Sequence, residues 1–358
     1  MIIAPDKFKG TLTAAEAARA AAAGWSRSRP DDELVLVPLA DGGDGFVDVV
    51  AEVVANARRY ELEVADASGH ATRAVWVLLP NGDAVIESAQ ACGLAQLAED
   101  RRDPRRTTTY GVGQLVHAAV DAGAGRVLVG LGGSATVDGG AGMATALGYR
   151  LLRADGNGVK VGAQWLRELD RIESAAEFDV PVVAATDVTN PLLGPQGAAT
   201  VFGPQKGAQP EDVPVLEAAL RRLADVAERD LPGGPWRDLP GAGAAGGLGF
   251  GLAAFCGATF EQGAALVDQL VGFSVALDGA DVVLTGEGAL DAQTGHGKVP
   301  AYVTERAREA GARIFAVAGQ VADEARSDFE AVAELGPEGL EQPAALVEQR
   351  VAALAAAL

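Results

Sequence analysis

The sequence predicts an α/β protein whose sheets are mostly parallel. Short apolar runs, partly β-branched, alternate with helix-like patterns along the chain. Each run is followed by Gly, Thr or Asp and then by a helical pattern, the order expected of strand–loop–helix units. With 358 residues and a hydrophobic content of 49%, the chain is long enough for two cores. We therefore expect two α/β domains, with an antiparallel hairpin attached.

The first predicted elements are a strand, a helix and a second strand. Residues 1–4 (MIIA) form a short apolar run. Thr13 and Glu16 then have the spacing of a capping box, which predicts that a helix begins there. The run LVLVPL at 34–39 predicts the second strand, which leads into a glycine pair. A glycine pair directly after a strand indicates either a ligand-binding loop or a tight turn.

The best turn signal lies in the middle of a predicted hairpin. Asn81-Gly82 separates the runs 72–79 and 84–88, and Asn-Gly is the preferred pair of a two-residue hairpin turn. Four later apolar runs predict further strands, at 127–131, 180–185, 281–285 and 314–318.

Residues 239–260 carry no charge, yet they would make a poor membrane span. The stretch contains seven glycines and Pro240, which predicts a buried, tightly packed helix instead.

The net charge and the cysteine pattern argue against several classes of protein. The formal net charge of −20 argues against binding to nucleic acid or to an anionic membrane, because both require a basic face. Cys92 and Cys256 form no CxxC pattern, and residues 1–8 lack the basic start of an export signal. We therefore expect a cytoplasmic protein.

Lysine is rare in this chain and concentrated in loop-like segments. Only five of the 29 basic residues are lysines. Four of the five lie in Gly- and Pro-rich segments, namely Lys7 and Lys9 in APDKFKG, Lys206 in FGPQKGA and Lys298 in TGHGKVP. An ammonium group is a compact charge that suits a phosphate or a carboxylate. The pattern indicates anion-binding loops, although flexible surface loops also tolerate lysine.

Residues 127–148 have the pattern of a strand, a glycine-rich turn and a helix. Glycines allow backbone N–H groups to approach an anion, and a helix N-terminus adds partial positive charge. Ser134 and Thr136 supply hydroxyl donors. The residues GLGGSA at 130–135 also fit a relaxed dinucleotide fingerprint, with Asp155 further along the chain. Two interpretations of this segment therefore stay open: a phosphate-binding loop and a dinucleotide-binding turn.

Two further segments place polar side chains after predicted strands. TDVTNPLLG carries Asp187 and Asn190, which can hold Mg²⁺; the aspartate can instead accept a proton from a substrate hydroxyl. An Asx turn is the alternative. The glycine-rich segment TGEGALDAQTGHGK carries Glu287, Asp291, His296 and Lys298.

These groups together suit phosphoryl transfer, which depends on positioning and on charge neutralisation by Mg²⁺ and by the protein. The sequence has no GxxxxGK[ST] phosphate loop, no GxSxG nucleophile elbow and no zinc-ligand spacing. From the residues alone, the prediction is an α/β enzyme that handles phosphate groups.

Eight segments, in order along the chain, resemble those of the glycerate kinase family in its bacterial type I form. They are APDKFKGTLTAAEAA, PLADGGDG, AVIESAQACGL, RTTTYGVGQL, GLGGSATVDGGAGM, TDVTNPLLGPQGAATVFGPQKGA, PGAGAAGGLG and LTGEGALDAQTGHGK. The resemblance implies phosphorylation of D-glycerate by ATP with Mg²⁺, and it favours 2-phosphoglycerate over 3-phosphoglycerate as the product. It also implies two α/β domains facing a cleft. One is a discontinuous, Rossmann-like domain at 1–65 plus 285–358, and the other is an inserted α/β domain at 66–284.

The matching segments also imply where the site residues lie. We expect Lys9 and Lys298 to contact the glycerate carboxylate and the transferring phosphoryl group. Either Asp187 or Asp291 is expected to act as the catalytic base or as the Mg²⁺ ligand. Further substrate- or nucleotide-binding residues are expected at Asp6, Lys7, Asp41, Gly42, Gly43, Gly132, Gly133, Ser134, Asp138, Asn190, Lys206, Glu287 and His296. Among these, the loop Gly132–Ser134 is expected to cradle the nucleotide phosphates.

One departure from the family pattern falls within the glycine-rich loop. Val137 stands where the family usually has Asn, which removes a polar group there. Two other functional classes stay open, a dinucleotide-dependent oxidoreductase that uses residues 130–135 and a non-catalytic sensor of sugar acids. The sequence does not define the oligomeric state, and a homodimer is one option.

Overall fold

The protein has a mixed α/β fold with mostly parallel sheets, as the sequence predicts. A computed structural model describes residues 1–174, 178–290 and 298–358, so the predicted site residues Asp291 and His296 lie outside the described residues. The strands are β1 (Ile2–Pro5), β2 (Val35–Leu36), β3 (Arg58–Ala65), β4 (Ala71–Leu78), β5 (Asp83–Glu87), β6 (Arg126–Gly130), β7 (Arg150–Leu152), β8 (Arg171–Glu173), β9 (Val182–Ala185), β10 (Thr259–Glu261), β11 (Val282–Leu290), β12 (Arg313–Val321) and β13 (Ala331–Glu334).

The helices alternate with these strands. They are α1 (Ala14–Ser28), α2 (Phe46–Val53), α3 (Ser88–Cys92), α4 (Tyr110–Asp121), α5 (Ala141–Ala146), α6 (Ala198–Phe202), α7 (Val213–Asp230), α8 (Ala244–Cys256), α9 (Gly263–Val271), α10 (Phe273–Ala276), α11 (Val299–Glu309) and α12 (Pro343–Ala356). Short 3-10 turns join several of them.

The described chain divides into two compact units. The first unit comprises Met1–Asp41, Asp48–Ala55 and Gln262–Leu358, and the second comprises Gly42–Val47 and Asn56–Glu261. The domain boundaries that the resemblance implies, near residues 65 and 285, stay a prediction.

The first unit is built on a parallel sheet. Its strand order in the described residues is β13-β12-β11-β1-β2. Helices α1 and α12 pack beside it over a core that includes Trp25 and Phe315, whose rings meet edge-on with centroids 6.5 Å apart. The predicted capping box at the start of α1 is confirmed, because Thr13 Oγ1 accepts from the Glu16 N–H while Glu16 accepts from the Thr13 N–H.

The second unit contains the larger sheet, with the order β10-β9-β6-β5-β4-β3 in the described residues. The strands from β10 to β5 are parallel, whereas β4 and β3 are antiparallel to their neighbours. The predicted hairpin around Asn81-Gly82 is confirmed as β4 and β5. A separate antiparallel pair, β7 and β8, lies later in the same unit.

Three strands differ in length from the prediction. The strand predicted at 34–39 is regular only over β2, at the sheet edge, although the N–H groups of Val37 and Leu39 still donate to the Ile3 and Pro5 carbonyls at 2.9 and 3.0 Å. Strands β11 and β12 instead extend well past 285 and 318, since their pairing continues through Leu290 and Val321.

The uncharged stretch 239–260 contains the buried helix that the sequence predicts, α8, which has an irregular start and is followed by β10. Helix α8 is buried along most of its length, but Ala245, Gly246 and Gly247 have positive φ angles of 50°, 71° and 86°. This turn brings Gly246 so close to Thr136 that an added Cβ would lie 1.8 Å from the Thr136 carbonyl oxygen. Glycine is therefore required at this position.

In the three described ranges, no helix has the length and apolar character needed to cross a membrane. Cys92 and Cys256 are buried and carry free thiols.

Candidate active site

The first unit gathers carboxylates at the carboxyl edge of its sheet. Asp6 directly follows β1, and its N–H donates to the Gly286 carbonyl of β11 at 2.8 Å. Glu287 is the next residue of β11, and Asp41 follows the edge segment beside β1. Because neighbouring parallel strands end at the same edge, the three carboxylates lie near one another, and the charges of Asp41 and Glu287 both act on Asp6.

Asp6 is a buried carboxyl that titrates near neutral pH. Its pKa is raised to about 7, chiefly by burial and further by the charges of Asp41 and Glu287, while Lys7 opposes the shift. The Lys7 N–H also donates to Asp6 Oδ1 at 2.6 Å. Such a group can hold or release a proton at working pH. The sequence analysis named Asp6 as a binding residue and assigned proton transfer to Asp187 or Asp291 instead; the signal for the burial of Asp6 was the apolar run IIAP just before it.

The two lysines predicted to be catalytic both belong to the first unit. Lys9 is exposed in the turn between β1 and α1. The turn is anchored by buried Phe8, whose N–H donates to the Leu12 carbonyl at 2.9 Å. Lys298 is half-buried and is the N-cap residue of α11. Helix α11 is held in turn by Tyr302, whose hydroxyl donates to Asp268 Oδ2 at 2.7 Å.

In the second unit, the glycine-rich loop (residues 131–140) follows the carboxyl end of β6. It runs close to the other predicted glycine pair. A Cβ on Gly130 would lie 2.1 Å from the Gly42 carbonyl oxygen, and one on Gly132 would lie 2.8 Å from the Gly43 Cα. Side chains are therefore excluded here, and bare backbone is left at the strand end, where an anion can bind.

Lys206 supports this loop from the protein interior. Its side chain is only 3% exposed, and Nζ donates to Ser134 Oγ and to the Thr136 carbonyl, both at 2.8 Å. Burial lowers the pKa of Lys206 to about 8, with Cys92 and Asp138 opposing the shift. Its predicted contact with nucleotide stays a prediction, whereas the structure shows it bridging two points of the glycine-rich loop.

Asp138 fixes the far end of the same loop. Its carboxylate accepts hydrogen bonds from the N–H and hydroxyl of Thr109, at 2.9 and 3.0 Å, and from the N–H groups of Gly140 and Gly142, both at 3.1 Å. Burial nevertheless raises the pKa of Asp138 above its usual range. Four donors on one buried carboxylate hold the start of α4 and the start of α5 together.

Asp187 and Asn190 lie in the loop that follows β9, and hydrogen bonds of Asn190 hold this loop in place. Asn190 Nδ2 donates to the Gln196 carbonyl, and the Asn190 carbonyl accepts from the Gly243 N–H, both at 2.8 Å. The loop is therefore tied to the start of α8. Asp187, two residues beyond the strand, is partly exposed.

The geometry of residues 130–135 does not favour a dinucleotide turn. Strand β6 ends at Gly130 but α5 begins only at Ala141. In the dinucleotide motif, by contrast, the glycines themselves open the helix. Asp155, the proposed ribose ligand, is exposed and accepts from the Asn157 N–H at 3.0 Å in the turn between β7 and β8. These features favour a phosphate loop.

No group of three His, Cys, Asp or Glu side chains within the described ranges is arranged to hold a metal by itself. Mg²⁺ usually keeps several waters and is bound by one or two carboxylates plus substrate phosphates. A carboxylate at a strand end, such as that of Asp187, therefore fits Mg²⁺ arriving with a nucleotide.

A parallel α/β fold, a braced glycine-rich loop and carboxylates and lysines at strand ends define an enzyme that handles phosphate groups. The model of the glycerate kinase family matches residues 1–356. The chain is 42% identical to a glycerate kinase of Halalkalibacterium halodurans over 343 residues, covering 94% of this chain and 88% of that protein. It is 39% identical to a glycerate 2-kinase of Escherichia coli over 329 residues, covering 90% of this chain and 86% of that protein.

Structural comparison agrees with these relatives. A crystal structure described as a candidate glycerate kinase 2 from Salmonella typhimurium LT2 superposes with a TM-score of 0.88 at 40% sequence identity, covering 99% of this chain and 97% of that one. This chain belongs to the glycerate kinase family, and it is a kinase.

Proposed function

We propose that this protein transfers the γ-phosphoryl group of ATP to the 2-hydroxyl group of D-glycerate, with Mg²⁺ as the metal. Family membership supports glycerate as the acceptor, and the relative named as a glycerate 2-kinase supports the 2-position. The structural observation that carries the proposal is the glycine-rich loop. It presents bare backbone at the end of β6 and is fixed by Lys206 and Asp138.

The proposed chemistry assigns a role to each group of residues. The 2-hydroxyl oxygen attacks the γ-phosphorus, the bond from that phosphorus to the β,γ-bridging oxygen breaks, and ADP leaves. The loop Gly132–Ser134 binds the nucleotide phosphates, while Lys9 and Lys298 neutralise the glycerate carboxylate and the transferring group. A carboxylate accepts the hydroxyl proton.

Three carboxylates are candidates for that proton. Asp187 and Asp291 are the ones predicted from the sequence, and Asp6 joins them because its pKa lies near 7. Asp187 also has the chemistry to hold Mg²⁺, which would supply charge neutralisation between the phosphates. Lys7, Asp41, Gly42, Gly43, Asn190, Glu287 and His296 are proposed as surrounding binding residues.

The test uses purified protein with D-glycerate, ATP and Mg²⁺, followed by enolase and measurement of phosphoenolpyruvate absorbance. A rise with enolase alone supports the 2-product. A rise only after phosphoglycerate mutase is added means that the 3-hydroxyl is used and overturns the regiochemistry. If no ADP forms, the proposed transfer from ATP to D-glycerate is wrong; thermal stabilisation by NAD(P) but not by ATP would then favour the oxidoreductase alternative.

Substitutions test the assigned roles. Asp187→Asn should lower kcat by about 10²–10⁴-fold if Asp187 is the base. Lys9→Ala should raise KM for glycerate or lower kcat without unfolding the protein, because its side chain is exposed. Wild-type kinetics in either variant would remove that residue from the site. Exposed Arg27, in the last turn of α1, provides the control Arg27→Ala.

A further inference from the structure

Glu87 is a buried carboxylate to which the proposed reaction gives no role. It is the last residue of β5, and its side chain is 1% exposed. In the sheet it lies beside Gly130, the last residue of β6, after which the glycine-rich loop begins. A carboxylate is rarely buried so deeply unless hydrogen bonds satisfy it. The partners of Glu87 therefore indicate what its side chain does at this strand end.

Glu87 caps helix α2 from another element. Its Oε1 atom accepts a hydrogen bond from the Val47 N–H at 2.6 Å, across 40 positions of sequence. Val47 is the second residue of α2, and the N–H groups in the first turn of a helix have no partner inside that helix. Glu87 supplies the acceptor that this buried N–H needs. The hydrogen bond therefore fixes the start of α2 to the end of β5.

The turn that leads into α2 lies against the end of β6. A Cβ on Gly130 would lie 2.1 Å from the Gly42 carbonyl oxygen and 3.1 Å from Phe46 Cδ1. The Phe46 N–H donates to the Gly43 carbonyl at 3.2 Å, so the turn is closed onto the start of α2. Anchoring Val47 therefore also sets how closely Gly42 and Gly43 approach the glycine-rich loop.

The residues that follow Glu87 support the glycine-rich loop itself. Ser88 Oγ donates to the Gly132 carbonyl at 3.3 Å, and the Leu94 N–H donates to the Gly133 carbonyl at 2.7 Å. One strand end thus holds two backbone segments at once, because Glu87 anchors the turn before α2 while Ser88 and Leu94 anchor the glycine-rich loop. The end of β5 therefore sets the distance between these two segments.

We propose that Glu87 is a positioning residue for phosphoryl transfer, which acts through the Val47 N–H to hold Gly42 and Gly43 against the glycine-rich loop. This role rests on the proposed function, in which Gly42, Gly43 and the loop Gly132–Ser134 bind substrate and nucleotide. A misplacement of about 1 Å costs up to about 10²-fold in rate, even when the substituted residue lies away from the reacting atoms. The role depends on the reach of the Glu87 side chain and not on its charge.

Two substitutions separate reach from charge. Glu87→Gln keeps an acceptor oxygen at the same reach and removes the charge. Glu87→Asp keeps the charge but is one methylene shorter, so its carboxylate no longer meets the Val47 N–H. We expect Glu87→Gln to retain kcat/KM and the Kd for Mg·ADP near their wild-type values. Glu87→Asp should lower kcat/KM by about 10–100-fold and raise the Kd for Mg·ADP, measured by calorimetry, by about tenfold.

Asp83 provides a matched control on the same strand. It is the first residue of β5, at the opposite edge of the sheet from Glu87, and its side chain is 6% exposed. Its carboxylate is paired with Arg126 at 2.6 Å. Asp83→Asn should therefore lower Tm but leave kcat/KM and the Kd for Mg·ADP unchanged, because it disturbs a buried carboxylate away from both segments.

The outcomes separate this inference from the proposed reaction. An inactive Glu87→Gln beside an active Glu87→Asp would assign the charge, or proton transfer, to Glu87 and overturn the positioning role. Wild-type kinetics in both variants would limit Glu87 to stability and overturn it as well. If the wild type does not phosphorylate glycerate, the proposed reaction is refuted, and the Kd for Mg·ADP replaces kcat/KM as the readout.

Hydrogen exchange decides if Glu87→Asp does not fold. In Glu87→Gln, kcat/KM and the exchange protection of residues 42–47 should then change together or stay together at their wild-type values. A fall in kcat/KM with unchanged protection, or lost protection with unchanged kcat/KM, overturns the positioning role.

Discussion

Asp6 couples the stability of the first unit to its proposed role. Its pKa is raised from 3.8 to about 7, so the folded protein holds a proton between these values that the unfolded chain has lost. The contribution of Asp6 to stability is therefore fully present below about pH 4 and is lost as the pH rises through 7. Asp6→Asn imitates the protonated form. At pH 8 we expect the variant to be more stable than wild type by about 4 kcal/mol, as measured by urea denaturation.

Activity should move in the opposite direction. Asn cannot accept a proton or supply negative charge, so Asp6→Asn should lower kcat/KM by about 10–100-fold, the effect of losing a charge-assisted interaction. Repeating the denaturation at pH 4 is the control, since the difference in stability should largely disappear there. A variant that is less stable than wild type at pH 8 would show that the carboxylate is stabilised by groups other than those described.

Because the pKa of Lys206 is lowered by burial, Lys206 favours the folded protein at alkaline pH. The unfolded chain binds a proton up to pH 10.5, whereas folded Lys206 releases it near pH 8. The contribution of Lys206 to the free energy of unfolding is therefore fully present above pH 10.5 and is lost as the pH falls through 8. The stability of wild type relative to Lys206→Met should therefore increase by about 2–3 kcal/mol between pH 8 and 10.

The same substitution tests the bridge to the glycine-rich loop. Met fills similar volume but leaves Ser134 Oγ and the Thr136 carbonyl without their donor. We expect KM for ATP to rise while KM for glycerate stays near the wild-type value. Arg27→Met, at an exposed position of α1, is the control. Unchanged KM for ATP would limit Lys206 to a role in folding.

At the scale of elements, the contact between α1 and α12 depends on one glycine. A Cβ on Gly24 would lie 2.2 Å from the carbonyl oxygen of Glu348 and 2.9 Å from its carbonyl carbon. Ala is better than Gly in a helix by about 1 kcal/mol, but overpacking against backbone costs about 1–3 kcal/mol or more. We expect Gly24→Ala to destabilise the protein by about 2 kcal/mol in urea denaturation.

Gly125→Ala is the matched comparison for that substitution. Its added Cβ would meet only the Gly82 carbonyl oxygen, at 3.9 Å, so its stability should stay within about 0.5 kcal/mol of wild type. If Gly24→Ala were equally neutral, α12 would have to shift away from α1 at little cost.

The presence of a helix or strand was easier to predict from the sequence than its length. The cap at Thr13 and the turn at Asn81-Gly82 are local signals, and the structure confirms both. The extension of β11 to Leu290 is not local, because its glycines argue against a strand and only pairing with β12 compensates. Strand length here depends on a partner more than twenty residues away in sequence.

For the candidate site, the sequence identified the loops but not the orientation of their side chains. The scarcity of lysine drew attention to Lys206 as a candidate anion-binding residue, whereas its hydrogen bond to Ser134 of the glycine-rich loop joins residues 72 positions apart. The sequence also did not predict that Tyr110, Thr145 and Asn157 line one cavity of about 410 Å³, since they come from separate elements and no motif joins them. Local patterns specify loops, whereas sites between loops require the tertiary fold.

At the scale of the whole molecule, the net charge of −20 predicts a dependence on salt. Exposed ion pairs such as Arg313–Glu330 are worth at most about 1 kcal/mol each, and salt weakens them. Repulsion among the 49 acidic residues, which outnumber the 29 basic ones, is weakened at the same time. Because the excess charge acts over the whole surface, we expect its screening to dominate. Raising NaCl from 10 to 150 mM shortens the Debye length from about 30 to about 8 Å and should raise Tm by about 1–3 °C.

The pH provides the control for this salt effect. At pH 5, closer to the isoelectric point of about 4.5, the net charge is smaller, so the same increase in NaCl should change Tm less than it does at pH 8. Both NaCl series can be followed by differential scanning calorimetry, starting from pH 5 and pH 8 buffers that contribute the same ionic strength. A fall in Tm with salt at pH 8 would mean that the arginine ion pairs outweigh the repulsion, and that the acidic surface contributes to solubility without a measurable cost in stability.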